Sequence, residues 1–186
     1  MNKRLTILAL ALTGATLASA QGTDSFVITG GLAFAQGNAQ DLTGKVGGGF
    51  QAEVGYQFHP QDFGTDVRVY GGWTKLPAAT STTERTTYEL AGPHVGFDIV
   101  YAPWTRVQVF TGPSAHVWQV VRQGEGGGKV GDQGLKLGWR AGFSYRFARA
   151  WEAGAAYTLT EWRSSPDDGI TPTRPAYLSL TVSYRF

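Results

Sequence analysis

The alternation of apolar and polar residues is the feature of this sequence that most limits how it can fold. In residues 176–186 every second residue is Ala, Leu, Val or an aromatic residue, and mainly Ser, Thr, Tyr and Arg lie between them. Residues 135–147 repeat the pattern. A period of two is typical of a β-strand whose two faces meet different environments, and helical spacing is hard to find after residue 25. The sequence therefore predicts an all-β protein.

Eight such segments can be placed between turn-forming stretches. The predicted strands are 25–35, 47–59, 65–76, 86–102, 105–121, 135–147, 151–162 and 176–186. The connections between them alternate between long (36–46, 77–85, 122–134, 163–175) and short (60–64, 103–104, 148–150). An even strand number with long and short connections on opposite sides is typical of outer-membrane barrels. We therefore expect an eight-stranded antiparallel up-and-down transmembrane β-barrel.

The two faces of the predicted strands differ in side-chain size. One face carries large apolar groups such as Phe50, Val69, Trp73 and Phe97, and the other carries mainly Gly, Ala, Ser and Thr with scattered charges. An eight-stranded barrel is just wide enough for side chains to fill it, so the small-residue face suits the lumen and the bulky face suits lipid. A soluble ligand-binding barrel of lipocalin type would invert this assignment.

Aromatic residues cluster near the predicted strand ends. Near the short turns lie Tyr56, Phe58, Tyr101, Trp104, Tyr145, Phe147, Trp151, Tyr184 and Phe186, and near the long connections lie Phe34, Phe50, Trp73, Trp118 and Trp162. High strand propensity explains the presence of aromatic residues but not this clustering. The clustering is typical of side chains at the two membrane interfaces.

The first 20 residues have the pattern of a cleaved secretory signal. Lys3 and Arg4 precede a largely apolar stretch that ends in Ala18, Ser19 and Ala20, a small-residue cleavage site. We expect the leader to be residues 1–20 and the barrel to be residues 21–186.

Charge and cysteine content exclude several classes of protein. Without Lys3 and Arg4, the chain has 14 basic residues against 14 acidic ones, so its basic character does not point to a nucleic-acid partner. The sequence has no Cys, which excludes a disulfide scaffold, a lipid anchor on Cys and thiol chemistry.

The chain resembles the small outer-membrane barrels of the OmpA-transmembrane-domain and OmpX type. Its last four residues, Ser183, Tyr184, Arg185 and Phe186, resemble the aromatic-ended C-terminal signal of such proteins. The resemblance implies a location in the bacterial outer membrane, contact with its lipid and assembly by the barrel-insertion machinery. It does not assign an activity.

Charged residues on the predicted lumen face form the main candidate site. They are Glu53, Asp66, Arg68, Asp98, Arg106, Lys136, Arg140, Arg146, Glu152 and Arg185. Buried charges persist when they are paired, and neighbouring strands suggest Glu53 near Arg68 and Arg146 beside Glu152. We expect a polar network that fills the barrel. A selectivity or proton path is the alternative, although eight strands leave little room for water.

Histidine and serine residues on the same face raise the question of chemistry. His94 and His116 are predicted to approach each other on adjacent strands, and Asp98 shares their face. Their spacing matches no metal-binding motif, so no metal or cofactor is expected. Ser114 and His116 resemble a nucleophile and its base, but no enzyme signature surrounds them, and no catalytic residue is assigned.

Two Gly-Pro pairs fall in the predicted fourth and fifth strands. Pro93 and Pro113 lie about equally far from the turn between these strands, so the two prolines are expected to lie opposite each other. Proline cannot donate to a sheet ladder. The pairs predict a local bend, or alternatively a lateral gap that resembles the proline gaps of the outer-membrane palmitoyltransferase.

These observations favour a monomeric structural or interaction barrel with a plugged polar lumen. Its long loops would contact cell-surface or surface-layer partners, and strands four and five would lift one side of the barrel above the membrane. The alternatives are a lipid-modifying enzyme and a narrow pore.

Overall fold

The computed structural model of this protein describes residues 24–36, 48–60, 64–76, 79–80, 87–123, 128–130, 135–160 and 176–186. The predicted leader, Trp162 and most of the long connections lie outside these residues, so the statements about them stay predictions.

Eight long strands form the described part of the fold, and none of its residues is helical. The strands are β1 (Ser25–Gln36), β2 (Gly49–Phe58), β3 (Asp66–Lys75), β4 (Thr87–Trp104), β5 (Val107–His116), β6 (Lys136–Arg146), β7 (Trp151–Thr160) and β8 (Ala176–Arg185). Three short strand segments, Ala79–Thr80, Gln119–Gln123 and Gly128–Val130, extend the sheet.

The sheet closes on itself. Each of the eight strands pairs antiparallel with the next in chain order, including β3 with β4. The first and last strands also pair, from Val27 opposite Arg185 to Gln36 opposite Ala176. The predicted eight-stranded antiparallel up-and-down barrel is confirmed. Closure removes the exposed strand edges that an open sheet would leave.

Most predicted strand boundaries agree with the structure to within two residues, but the turn between β4 and β5 differs. It was expected at residues 103–104, whereas β4 continues to Trp104 and β5 begins at Val107. The pairing register shifts between Tyr101 and Trp104, beside Pro103. Because proline has no backbone N–H, a β-bulge is the ordinary result at such a position. The predicted strand 105–121 is also divided, since Val117 and Trp118 separate β5 from Gln119–Gln123.

The two faces of the barrel have the predicted orientation. Large apolar side chains point outward, and Leu137 and Phe143 are 70% and 54% exposed. Polar and small side chains point inward, and Asp98 is 0% exposed. The small inward residues have a steric reason, because a Cβ on Gly31 would lie 2.7 Å from the Thr181 Cα of the neighbouring strand. The inverted, lipocalin-type assignment is therefore wrong.

Aromatic side chains gather at the end of the barrel that carries the short turns. The ring centroids of Trp151 and Tyr184 are 4.9 Å apart, and those of Tyr184 and Phe186 are 4.8 Å apart. Phe26 and Tyr56 form a similar pair at 4.9 Å. The prediction fails for Trp118, which is 1% exposed and points inward. It lies two positions after the inward His116, so the strand alternation puts both on one face.

One side of the barrel wall is longer than the rest. Strand β4 has 18 residues, and its residues 87–91 pair with Gln119–Gln123, which in turn pairs with Gly128–Val130. This extension lies at the end opposite the short turns. In the part of the chain that the structure describes, no helix is both long and apolar enough to cross a membrane.

Candidate functional site

A buried ion-pair cluster fills the middle of the lumen. Arg140 of β6 donates from Nη1 to both carboxylate oxygens of Glu53 on β2, at 2.7 and 3.0 Å. Its Nη2 lies 2.6 Å from Asp98 Oδ2 on β4, and its Nε lies 3.3 Å from Oδ1. One guanidinium group therefore connects three strands across the lumen.

Two aromatic rings lie against the guanidinium group of Arg140. The Arg140 Cζ lies 3.6 Å from the centre of the Tyr70 ring and 5.4 Å from that of Phe110. The second arginine of the cluster, Arg68, lies 4.7 Å over the Phe110 ring, and its Nη2 is 3.4 Å from Asp98 Oδ2. A cation over the face of a buried aromatic ring is a favourable electrostatic contact.

The Glu53 carboxylate has further partners besides Arg140. Its Oε1 lies 2.9 Å from His94 Nε2 and accepts a hydrogen bond from the side-chain amide of Gln51. The cluster thus contains two carboxylates, Glu53 and Asp98, and two guanidinium groups, Arg68 and Arg140, all buried. The charges are equal in number, and the hydrogen bonds of Arg140 to both carboxylates offset part of the large cost of taking ions out of water. Arg68 contributes an ion pair with Asp98, but its Nε and Nη2 are buried without a hydrogen-bond partner.

A second polar cluster lies toward the short-turn end. Glu152 Oε1 accepts hydrogen bonds from Arg146 Nη2 at 3.1 Å and from Arg185 Nη2 at 3.0 Å. The side chain of Glu152 is 3% exposed, whereas that of Arg146 is 34% exposed. Arg185 also donates to Ser25 Oγ at 2.9 Å, close to the start of β1. This cluster ties the first and last strands, β1 and β8, together at the mouth of the lumen.

Stacked rings close the lumen at the opposite end. His94 and His116 face each other in the β4–β5 register, with ring centroids 5.2 Å apart, as predicted. Trp118 stacks on His116 at 5.4 Å and donates from Nε1 to Thr160 Oγ1 at 2.9 Å. Tyr177 meets Trp118 edge-on. The rings therefore form an aromatic cap above the ion pairs.

The Ser114 hydroxyl lies 2.9 Å from Nε2 of His116 beneath this cap. Ser114 is 4% exposed and His116 is 1% exposed. A nucleophile and base need access to a substrate, and these two atoms are enclosed by the barrel wall and the aromatic cap. Within the described residues, no group of three or more His, Cys, Asp or Glu side chains is placed to hold a metal ion.

Three of the predicted lumen residues lie outside these clusters. Arg106 was expected on the fifth strand, but that strand begins at Val107, and Arg106 is an exposed residue of the turn. Asp66, half-buried at the start of β3, binds His59 and Gln57, each at 2.7 Å. Lys136 is half-buried at the first position of β6, opposite His116.

Glu53 and Arg68 line the same small cavity but form no direct ion pair, whereas Arg146 pairs with Glu152 at the distance given above. In the β2–β3 register Glu53 lies opposite Gly72, and Arg68 lies opposite Gln57. Four residues along the strands therefore separate the two side chains, and Glu53 pairs across the lumen instead.

The two prolines are not opposite each other. Pro93 lies opposite Val117, whose N–H donates to the Pro93 carbonyl at 3.0 Å. By the same register Pro113 lies opposite Phe97, four positions further along. The two strands keep the same pairing register from His94 to Tyr101. Within this stretch of β4, only Phe97 and Asp98 lack a paired residue on β5. Both prolines thus fall in the seam between β4 and β5.

Among the residues that the structure describes, the space left at the centre of the lumen is small. A cavity of about 20 Å³ lies beside Arg140, lined also by Thr29, Gln51, Phe110 and Ser179. This volume holds about one water molecule. The arrangement is suited to cross-bracing the wall, and this central cavity is too small for a substrate.

Sequence reasoning missed the aromatic part of the lumen. Tyr70, Phe110, Trp118 and Tyr177 all point inward, although large rings were assigned to the outer face or not considered. Strand phase was the available signal, because Tyr70 shares the face of Arg68 and Phe110 shares that of Gly112.

Solved structures with the same fold come from several bacteria, and the following three are 12–14% identical to this chain. Neisserial surface protein A has a TM-score of 0.59 and 14% identity, covering 89% of this chain and 98% of that one. Ail, the attachment invasion locus protein of Yersinia pestis, has a TM-score of 0.58 and 14% identity, covering 90% of this chain and 100% of that one. The N-terminal β-barrel domain of Pseudomonas aeruginosa OprF has a TM-score of 0.54 and 12% identity, covering 89% of this chain and 100% of that one.

No curated protein matches the chain. The family described as outer membrane protein beta-barrel domain matches residues 6–186, which is nearly the whole sequence. The resemblance drawn from the sequence pattern is thereby confirmed, and so is the location in the bacterial outer membrane. The chain belongs to the outer membrane protein beta-barrel domain family.

Proposed function

We propose that this barrel is a structural and interaction protein of the outer membrane, which presents its outer end to partners at the cell surface. In this proposal the barrel contacts outer-membrane lipid through its apolar face and is inserted by the barrel-assembly machinery. Its lumen serves to brace the wall and not to transport a solute.

The observation that carries this proposal is the closed lumen. The Glu53–Arg140–Asp98 ion pairs cross its centre, and the cavity beside them has about 20 Å³. A pore needs a continuous column of water, and eight-stranded barrels have interiors that side chains can fill. The ion pairs therefore favour a structural role over the narrow-pore alternative.

The extended side of the wall supports a role in surface contact. Strand β4 and the segments Gln119–Gln123 and Gly128–Val130 continue the sheet at the end opposite the short turns. In outer-membrane barrels the short turns face the periplasm and the longer loops face outward. The extension thus offers backbone and loop surface to an external partner. Ail of Yersinia pestis has been crystallised with the heparin analogue sucrose octasulfate, and at 15% identity this likeness gives the fold and not the ligand.

Cell-surface display tests the proposal. Cells that display the barrel are compared with cells displaying a variant without residues 122–134, for adhesion to host cells, extracellular matrix and surface-layer material. We expect the deletion to reduce adhesion while the variant still migrates as a folded barrel in unheated gels. Unchanged adhesion would reject the proposed contact through this loop.

The lipid-modifying alternative depends on Ser114 and His116, whose polar atoms are in hydrogen-bond contact but enclosed. H94Q/H116Q cells should have the same outer-membrane lipid composition as cells with the parent protein. A lost or gained acyl chain in the parent strain, absent from the variant, would favour the enzyme.

A further inference from the structure

Two short turns at the periplasmic end bring a set of arginines together. The Arg146 N–H donates to the Arg106 carbonyl at 2.7 Å, which holds the turn between β4 and β5 beside the end of β6. Ala148 and Trp151 exchange backbone hydrogen bonds across the next turn, which carries Arg149. The two turns are therefore neighbours on the rim of the barrel.

A pocket of about 240 Å³ lies between these turns. It is lined by Thr105, Arg106, Arg146, Phe147, Ala148 and Arg149. A second pocket of about 320 Å³ shares Thr105, Arg106 and Arg146 with it and continues into the lumen mouth, where Asp66, Ala102, Gln108 and Arg185 line it. The carboxylate of Asp66 makes this second pocket less suited to an anion than the first. Each pocket is roomier than the cavity at the centre of the barrel.

The arginines between these two turns differ in whether they have a carboxylate partner. Asp24, Asp66 and Glu152 lie toward this end of the barrel, but none of them forms an ion pair with Arg106 or Arg149. Arg146 and Arg185 share the single carboxylate of Glu152, and Asp66 is bound to His59 and Gln57. Within the described part of the chain, the exposed side chains of Arg106 and Arg149 have neither a hydrogen bond nor an ion pair. Guanidinium groups match phosphate oxygens with parallel hydrogen bonds, so the rim is complementary to a phosphate group.

The pocket also has an apolar side. Phe147, one of its lining residues, points outward and is 52% exposed, and Trp104 just before the adjacent turn is 69% exposed. Aromatic side chains at strand ends occupy the level of lipid headgroups. A ligand here would meet arginines at its phosphate and aromatic surface beside its apolar part, which is the chemistry of a phospholipid and not of a free anion.

We propose that this rim pocket binds the phosphate of an anionic phospholipid in the periplasmic leaflet. Arg106 and Arg149 contact the phosphate, and the partly exposed guanidinium group of Arg146 lies beside it. Phe147 packs against the start of an acyl chain. The site is independent of the surface contacts proposed above, because it lies at the opposite end of the barrel.

Native mass spectrometry of the full chain in a phosphate-free glycol-ether detergent tests this proposal. Phosphatidylglycerol is the probe, phosphatidylcholine is the zwitterionic comparison, and glycerol phosphate is the soluble competitor. The variant R106Q/R149Q removes the two unpaired cations, and R149Q alone gives a milder change. The matched control K75Q/K136Q removes the same charge from the other end, and heat-modifiable migration checks the fold of each protein.

We expect the parent and the control to retain phosphatidylglycerol and R106Q/R149Q to retain about thirtyfold less, since the loss of each cation near an anionic headgroup weakens binding about fivefold. Equal retention by all three proteins would overturn the proposal, as would equal retention of phosphatidylcholine by the parent. Displacement by glycerol phosphate at equal concentration would identify a free-anion site and overturn the lipid assignment.

Discussion

Arg140 reaches across the lumen to Glu53, 87 positions earlier in the chain, and binds both of its carboxylate oxygens, at 2.7 and 3.0 Å. The two residues lie on β6 and β2, which are four strands apart in either direction around the eight-stranded barrel. The bond therefore joins opposite walls, whereas backbone pairing joins only neighbouring strands.

Replacing Arg140 should be among the most destabilising changes inside the barrel. R140M keeps an aliphatic side chain of fair length but leaves Glu53 without a guanidinium partner, and Asp98 keeps only Arg68, at 3.4 Å. Removing one partner of a buried ion pair costs about 3–5 kcal/mol. We expect a loss of that order in the free energy of unfolding, measured by urea titration in detergent with Trp fluorescence.

Two controls separate the charge from the loss of packing. R146Q removes a half-exposed arginine, and Glu152 keeps Arg185 as its partner, so the expected loss is about 1 kcal/mol or less. E53Q/R140M also removes the carboxylate that R140M leaves without a guanidinium partner, while Asp98 keeps Arg68, so this variant should be more stable than R140M. If R140M and R146Q lose equal stability, the buried cluster does not brace the barrel.

Adjacent glycines on β1 should respond differently to the same substitution. A Cβ on Gly31 would point inward and lie 2.7 Å from Thr181 Cα and 2.9 Å from the Leu180 carbonyl carbon, whereas a Cβ on Gly30 has no atom within 4 Å. G31A should therefore cost about 1–3 kcal/mol, because backbone of β8 must move. G30A should fold like the parent. Heat-modifiable migration across a temperature series measures both, and equal transition temperatures would contradict the predicted close approach.

The seam between β4 and β5 should open more readily than the other seams. The backbone N–H of Val117 points toward β4, where it donates to Pro93. Every second residue of a strand directs its N–H and C=O to the same neighbouring strand. The backbone of Pro113, four residues before Val117, therefore also faces β4. Neither Pro93 nor Pro113 can donate, and two ladder hydrogen bonds are therefore lost from one seam. Amide exchange by NMR in detergent should be faster for Phe97 and Val117 than for Phe143 in the β6–β7 seam. Uniform protection would mean that the prolines do not weaken this wall.

Alternation in the sequence was enough to predict which face of each strand is inside. Leu137 and Trp139 point outward and Arg140 points inward because a strand has a period of two, and nothing distant in the chain changes that. Eight strands and the antiparallel order follow from the same local pattern and from short turns. The failure at Arg106 has an equally local cause, since Pro103 moved the turn by two residues.

Partners across the lumen could not be predicted in this way. The face of Glu53 was known, but its pairing with Arg140 depends on how the closed sheet is staggered, which no local pattern contains. Trp118 was assigned to an outer aromatic group because it lies near a strand end, although its phase with His116 indicated the lumen. Phase was therefore the better guide than position along the strand.

The closed lumen predicts that the purified barrel carries no stable current in a planar lipid bilayer. The cavity beside Arg140 has about 20 Å³, and the aromatic cap with Trp118 closes the path on its outer side. E53A/R140A removes the central bond as a pair while Asp98 keeps Arg68, so we expect a folded barrel with brief, irregular current steps. The control V54A lies next to Glu53 but points outward, and it should stay silent like the parent. A steady ohmic current through the parent protein would reject the plugged lumen and favour the narrow pore.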